Sequence, residues 1–273
     1  NITLTNRQLY YQLVSRDIIP NADEIYKRIC TFLTDARYAG LIDWEAIEDR
    51  IRVPTVPLEF ENIQERIRLS IHNFRLPRWK NQDYYLELFT EKDALSSVLE
   101  PIANKFHTHF CVNRGYTSAS SIYDLSKRVI EQISNEKKVK ILYLGDHDPS
   151  GLDMVRDMRD RLTELLEQGQ DYYDFNEWVE VLHIALTTEQ VEKYNPPPNP
   201  AKISDPRAKW YIREHGDTSW EVDALRPEIM MKLVEEAILE WLDVDKYNKV
   251  MAQERKEIKV LENFAKTLDK KDN

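Results

Sequence analysis

The stretch that most constrains the fold is "VKILYLGD", residues 139–146. It is a short apolar run rich in β-branched, aliphatic and aromatic residues, with little polar alternation. That pattern marks a strand covered on both faces, as in a parallel sheet. It ends on Gly145 and Asp146, and "HDPSG" leads at once into a helical pattern over Leu152–Glu167. A strand that turns directly into a helix is half of a β-α-β crossover.

The same alternation recurs on either side. "YYLELFTE" (Tyr84–Glu91) reads as a strand, Ala94–Lys105 as a helix, "THFCVN" as a strand and Ser118–Ile133 as a helix; after the central unit, "WVEVLHIAL" reads as a further strand. Strands alternating with helices predict an α/β fold with a mostly parallel four-stranded sheet flanked by helices. "NPPPNP" (Asn195–Pro200) reads as a rigid linker or loop, Pro227–Leu242 as a helix, and the Lys/Glu-rich tail from about Lys246 as helical.

The first 80 residues follow another pattern. "TNRQ" offers a capping box, Thr5 as N-cap with Gln8 three residues on, and the helix runs to about Ser15. A second helix restarts at Asn21, with Ile25, Ile29, Phe32, Leu33 and Ala36 as its apolar stripe and Gly40 at its end. "LIDW" and a Pro-punctuated "RVPTVP" complete a helix-turn-helix or winged-helix pattern. Residues 62–76 read as a connecting helix and "LPRWKNQ" as a boundary. The expected organisation is therefore a winged-helix unit with connecting helix (1–80), an α/β unit with a C-terminal extension (81–245) and a charged helical tail (246–273).

Charge decides where a polyanion could bind. The net charge is −10, which argues against a uniformly basic nucleic-acid coat. Residues 1–80 hold 12 Lys and Arg against 11 Asp and Glu, about +1, which leaves −11 for the rest. Any DNA contact must therefore use local patches; Lys27, Thr31, Arg37, Arg50, Arg52 and Arg75 are the candidates. Lys27, Thr31, Thr34 and Tyr38 share the polar side of the second helix, which could equally be a solvated face. No apolar run approaches the roughly 20 residues of a membrane span. Cys30 and Cys111 lack metal-site spacing and read as reduced core thiols of an intracellular protein; the expected location is cytoplasmic, and nucleoid-associated if DNA is bound. The chain opens on Asn1, as expected if an initiator or a longer N-terminus has been removed.

Ligands of open parallel sheets sit at the carboxyl ends of the strands. Asp146 and Asp148 fall there, as does Glu91. Like charges so close raise one another's pKa unless a cation neutralises them, and Mg²⁺, or Mn²⁺, suits carboxylate oxygens plus water. Gly145 and Gly151 allow tight turning or the close approach of a ligand. Asp148 before Pro149 also reads as a helix cap, and His147 is expected to point away. On the first helix, Tyr11 lies off the face made by Leu9, Tyr10, Leu13 and Val14, with Arg7 four residues before it. A solvent-facing tyrosine beside a cation suits a nucleophile or a phosphate contact; a plain surface tyrosine fits the helix as well.

"TEKDA" and "GDHDPSG" resemble the Glu and DxD motifs of Toprim domains. The order of parts resembles the A subunit of type IIB topoisomerases (topoisomerase VI) and the related meiotic double-strand-break protein. "RQLYY" is similar to that group's Arg-x-x-aromatic-Tyr motif, with Tyr11 at the nucleophile position. "NADEIYKRICTFLTDARYAGLI" fits its second winged-helix segment, "RGYTSAS" the place of a Gly-rich turn, and "WEVDAL" (Trp220–Leu225) a late acidic motif. After Gly115–Tyr116, Thr117 and Ser118 replace that turn's usual acidic and basic residues. The chain is short for the group and resembles the small A-like proteins of mobile elements or defence loci.

The resemblance implies Mg²⁺ held by Glu91, Asp146 and Asp148, and attack by Tyr11 on a DNA phosphodiester to give a 5′-phosphotyrosyl link. Arg7 would steady the phosphate, with Glu221 and Asp223 as supporting groups. It further implies double-strand cutting by a homodimer, the tyrosine of one protomer meeting the metal site of the other, and a possible separate ATPase subunit. Two alternatives remain at this point: a Toprim nuclease that uses water, and a non-catalytic DNA-binding subunit of a larger complex. No Walker-type loop is present, so ATP use by this chain itself is not expected.

Overall fold

The computed structural model describes residues 4–47, 57–113, 115–167 and 173–269. The elements run α1 (Asn6–Val14), α2 (Asp23–Tyr38), α3 (Ile63–Asn73), β1 (Tyr84–Thr90), α4 (Ser96–Phe106), β2 (His109–Val112), α5 (Ala119–Ser134), β3 (Lys138–Leu144) and α6 (Pro149–Glu167). There follow α7 (Phe175–Trp178), β4 (Val179–Ala185), α8 (Thr188–Tyr194), β5 (Asn199–Pro200), α9 (Ala208–His215), β6 (Thr218–Ser219), α10 (Pro227–Trp241) and α11 (Val244–Asp269).

The main sheet has the order β2-β1-β3-β4 and every pairing in it is parallel. The central strand is the run that opened the sequence reading, with Leu88 opposite Leu142 and Thr90 opposite Leu144. The alternation of strand side chains feeds two cores. Leu86, Leu88, Leu142 and Leu144 pack with Leu99 and Ile102 of α4 and with Met230, Val234 and Ile238 of α10. Tyr85, Phe89, Val139, Ile141 and Tyr143 pack with Leu125 and Val129 of α5 and with Met158 and Leu162 of α6.

The N-terminal helices have the ends that the sequence predicts. Thr5 and Gln8 form the capping box of α1. Gly40, at φ +71°, ends α2 in a Schellman arrangement, with Leu41 N donating to Ala36 O at 2.9 Å. Asn21 does not itself cap α2, which starts at Asp23. Its amide instead donates to Asn199 Oδ1 at 2.8 Å, so the helical unit is tied to the β5 hairpin. The residue 47 end of this unit bridges Leu4. Most of "RVPTVP", together with Arg50 and Arg52, lies outside the described residues, as does Arg114 of "RGYTSAS".

"LPRWKNQ" is not a free linker. Arg78 forks onto Glu254 of α11 (Nη2 to Oε1, 2.7 Å), and the Trp79 indole donates to Phe106 O at 2.7 Å. Both side chains are buried. The tail is one continuous helix from Val244 that runs back along α3.

Candidate functional site

The carboxyl ends of β1 and β3 lie side by side, so Glu91 and Asp146 meet: Asp146 N donates to Glu91 Oε1 at 3.1 Å. Asp146 Oδ1 accepts from Val222 N at 2.8 Å and pairs with the Lys92 ammonium at 2.7 Å. The same ammonium donates to Glu221 Oε2 and Asp223 Oδ1, both at 2.9 Å. Arg7 of α1 closes the network by pairing with Glu221 and, through Nε at 3.2 Å, with Asp223 Oδ2. Residues from four distant segments are thus joined: 7–11, 91–92, 146–148 and 221–223.

What brings the last segment in is the backbone of His147. Its N–H donates to Trp220 O (2.9 Å) and its carbonyl accepts from Trp220 N (3.0 Å). As expected, its side chain points away from the acids, into the fold. Nδ1 lies 2.8 Å from the Tyr211 hydroxyl and Nε2 lies 3.0 Å from Thr188 Oγ1. Burial, then the neighbouring His215, hold the ring below its usual pKa. The Tyr211 hydroxyl has two carbonyls to donate to, His147 O at 2.8 Å and Thr218 O at 2.9 Å. A ring proton on Nδ1 would complete this set, with the Tyr211 oxygen as its acceptor.

Asp148 behaves as a helix cap. Its Oδ1 accepts from Gly151 N at 2.6 Å and from Ser150 Oγ at 2.9 Å, with Pro149 as the first residue of α6. The close approach permitted by Gly151 is to the protein itself. A Cβ there would lie 2.2 Å from Asp146 O, so any side chain would push the Asp146–Asp148 turn apart.

The charges do not balance. Among the described residues, Glu91, Asp146, Glu221 and Asp223 surround two cations, Lys92 and Arg7. Burial pushes Glu91 above its usual pKa, against the pull of Lys92. Burial also pushes Asp146 up, and Glu91, Asp223 and Glu221 add to that against Lys92. Glu221 goes the other way: burial resists its ionisation, but Lys92 and Arg7 outweigh it and hold its pKa at about 2.

Tyr11 corrects the sequence reading. It is not solvent-facing but 5% exposed, packed with Tyr10, Val14 and Ala224. The helix was read as having one covered face; α2 covers one side and the Val222–Ala224 segment covers the other. Burial, then the charges of Glu221 and Asp223, raise the Tyr11 hydroxyl well above its ordinary pKa, while Arg7 opposes them. The Arg7 guanidinium lies 5.8 Å from the ring centre.

The expected DNA contacts divide. Lys27 and Thr31 are exposed on α2. Arg37 is instead stacked 4.7 Å over Trp44 and donates to Trp44 O at 2.5 Å, which pins α2 to the next turn. Arg75 is likewise used locally, on His72 O (2.8 Å) and Phe74 O (2.6 Å).

Among the described residues, no group of three or more His, Cys, Asp or Glu side chains is arranged to hold a metal ion. Asp146 Oδ1 is turned to Lys92 and Asp148 Oδ1 to the helix end, while Asp146 N meets Glu91 Oε1. The donor chemistry still suits a hard cation. The bonds described use one oxygen each of Glu91, Asp146 and Asp148. Asp223 Oδ2 is buried, with Arg7 Nε 3.2 Å away. Mg²⁺ commonly takes one or two carboxylates and keeps several waters, so a three-carboxylate cage is not required.

Lys92 is the residue that the sequence reading missed. It stood inside "TEKDA", but nothing local to that motif shows that residues 221–223 fold back onto it. No protein-family model matches the chain, and no curated protein matches it significantly. Among the described residues, no helix is long and apolar enough to cross a membrane.

Proposed function

We propose that this protein is a divalent-cation-dependent DNA-cleaving protein of the topoisomerase VI A-subunit type, with a Toprim-like acidic site and a winged-helix-like N-terminal unit. The observation that carries the reading is the convergence of Arg7, Glu91, Asp146, Glu221 and Asp223 at the carboxyl end of a parallel sheet, with Tyr11 packed beside them.

In this reading Glu91 and Asp146, with Asp148 beside them, would hold Mg²⁺ or Mn²⁺, which would supply charge neutralisation at the phosphate oxygens. Arg7 turns from Glu221 to the phosphate. The Tyr11 oxygen bonds to phosphorus as the bond to the 3′ oxygen breaks, leaving a 5′-phosphotyrosine. The phenol proton ends on the departing 3′ oxygen. Exposed Lys27 and Thr31 serve the duplex, and a second copy of the chain supplies the second cut.

A water nucleophile is the second reading. It is favoured by the burial of Tyr11 and by its raised pKa. Wild type, Tyr11→Phe and Asp146→Ala incubated with supercoiled plasmid and Mg²⁺ or Mn²⁺, then quenched in detergent, separate the two. Protein-linked 5′ ends from wild type alone support tyrosine attack. Free ends from wild type and Tyr11→Phe, but not Asp146→Ala, support water. Intact plasmid with wild type in both ions would sink both.

A further inference from the structure

A cavity of about 550 Å³ opens at the other end of the main sheet, between the 77–81 loop, the starts of β1 and β2, the end of α5 and the turn before β3. The seven-residue strands β1 and β3 place it about 20 Å from Glu91 and Asp146. In a chain of net charge −10, its lining is basic: Arg78, Lys80, Lys137 and the imidazoles of His107 and His109 stand against one carboxylate, Glu131. Glu254 answers Arg78. Among the described residues, Lys80 and Lys137 have no carboxylate within ion-pair reach. Lys137 is half-buried, and its ammonium gives one hydrogen bond, to Trp79 O at 2.6 Å, which leaves two N–H groups unused. Burial pulls its pKa down. His107 is lowered too, first by burial and then by Arg78, against the pull of Glu254.

His109 is held from behind. The Tyr85 hydroxyl donates to Glu87 Oε1 at 2.8 Å and also contacts His109 Nδ1, while Arg128 fixes Glu87 in turn. That leaves Nε2 of His109 for a ligand. A partly desolvated ammonium without a counter-anion is costly, and a multivalent oxyanion removes the cost through charge-assisted hydrogen bonds. The donors converge from separate segments, which suits the several oxygens of a tetrahedral phosphate better than the two of a carboxylate. The volume is that of a small-molecule site. We propose that this cavity binds a small phosphate-bearing anion, such as pyrophosphate, through Lys80, His107, His109 and Lys137. The site is independent of the cleavage reaction proposed above, since the acidic residues lie at the opposite end of the strands.

Titration of the full chain with pyrophosphate in metal-free buffer, followed by calorimetry and by the imidazole signals in nuclear magnetic resonance, tests it. Saturation of a single site is expected. The His107 and His109 signals should move, and that of His147, beside the acidic site, should stay in place. Lys137→Met should weaken binding by about tenfold or more, and Lys80→Ala, at an exposed position, by several-fold. Three outcomes overturn the proposal: no saturation up to about 10 mM pyrophosphate, saturation that leaves both imidazole signals unmoved, or wild-type affinity in both variants. If Lys137→Met does not fold, Lys80→Ala and the wild-type signals decide. A short single-stranded oligonucleotide that moves the same signals at lower concentration than pyrophosphate would overturn it in favour of a nucleic-acid contact. Plasmid cleavage that persists while pyrophosphate fails to bind would leave the functional reading standing without this inference.

Discussion

Strand β1 buries one glutamate and is followed at once by a second, half-buried one, and the two are treated in opposite ways. Glu87, in mid-strand, is 1% exposed. It receives both arms of the Arg128 guanidinium (2.7 and 2.8 Å) and the Tyr85 hydroxyl (2.8 Å). One anion meets one cation, and the hydrogen bonding holds Arg128 above its usual pKa. Glu91, at the strand end, shares its surroundings with Asp146, Glu221 and Asp223, and among the described residues Lys92 and Arg7 answer them. The first arrangement is closed and holds α5 to the sheet. The second carries surplus negative charge at a place where ligands reach a parallel sheet. A buried charge that is fully answered stabilises a fold; one left under-answered marks a place where something else can bind.

The largest effect should come from breaking the closed pair. Arg128→Met strips the buried Glu87 carboxyl of its guanidinium partner, which should cost about 3 kcal/mol or more of unfolding free energy, read by urea denaturation. Asp146→Asn should be far milder, within about 1 kcal/mol, because it removes one of the surplus charges while giving up a Lys92 contact. A stability loss in Asp146→Asn as large as that in Arg128→Met would erase the distinction.

The pH dependence sharpens the same contrast. Asp146 and Glu91 are raised, so the folded chain holds their protons more tightly than the unfolded chain. Their contribution favours folding in acid and declines as pH rises from the ordinary carboxylate range of about 4. Glu221 is depressed to about 2, so its contribution is present above the ordinary range and is lost as pH falls toward 2. Thermal melts from pH 4 to 8 should decline less steeply for Asp146→Asn than for wild type; parallel curves would contradict the assignment. The smallest expected effect is on α2: Lys27→Ala should lower the salt slope of duplex DNA binding by about 0.9. An unchanged slope would remove Lys27 from the interface.

Much of this was legible in the chain. The Thr5–Gln8 capping box, the Gly40 stop and the buried run at 139–144 are local signals, and all three correspond to what the structure contains. Glu91 and Asp146 could be placed together because strand ends in a parallel sheet share an edge. The dual covering of α1 was not legible, since it depends on a segment more than 200 residues away. Nor was the use of Arg37 as a pin on Trp44, because a basic residue on a helix looks the same whether it faces DNA or a neighbouring carbonyl.

The sequence by itself determined the periodicities, and with them the parallel sheet, its flanking helices and the acidic residues at its carboxyl end, because hydrophobic spacing and turn chemistry act over a few residues. The tertiary structure alone decided that Lys92 lies among Asp146, Glu221 and Asp223, and that Tyr11 is covered. Those outcomes depend on how the His147–Trp220 bridge folds the late acidic segment back over β1 and β3, and no local pattern encodes which distant carboxylates a lysine will meet.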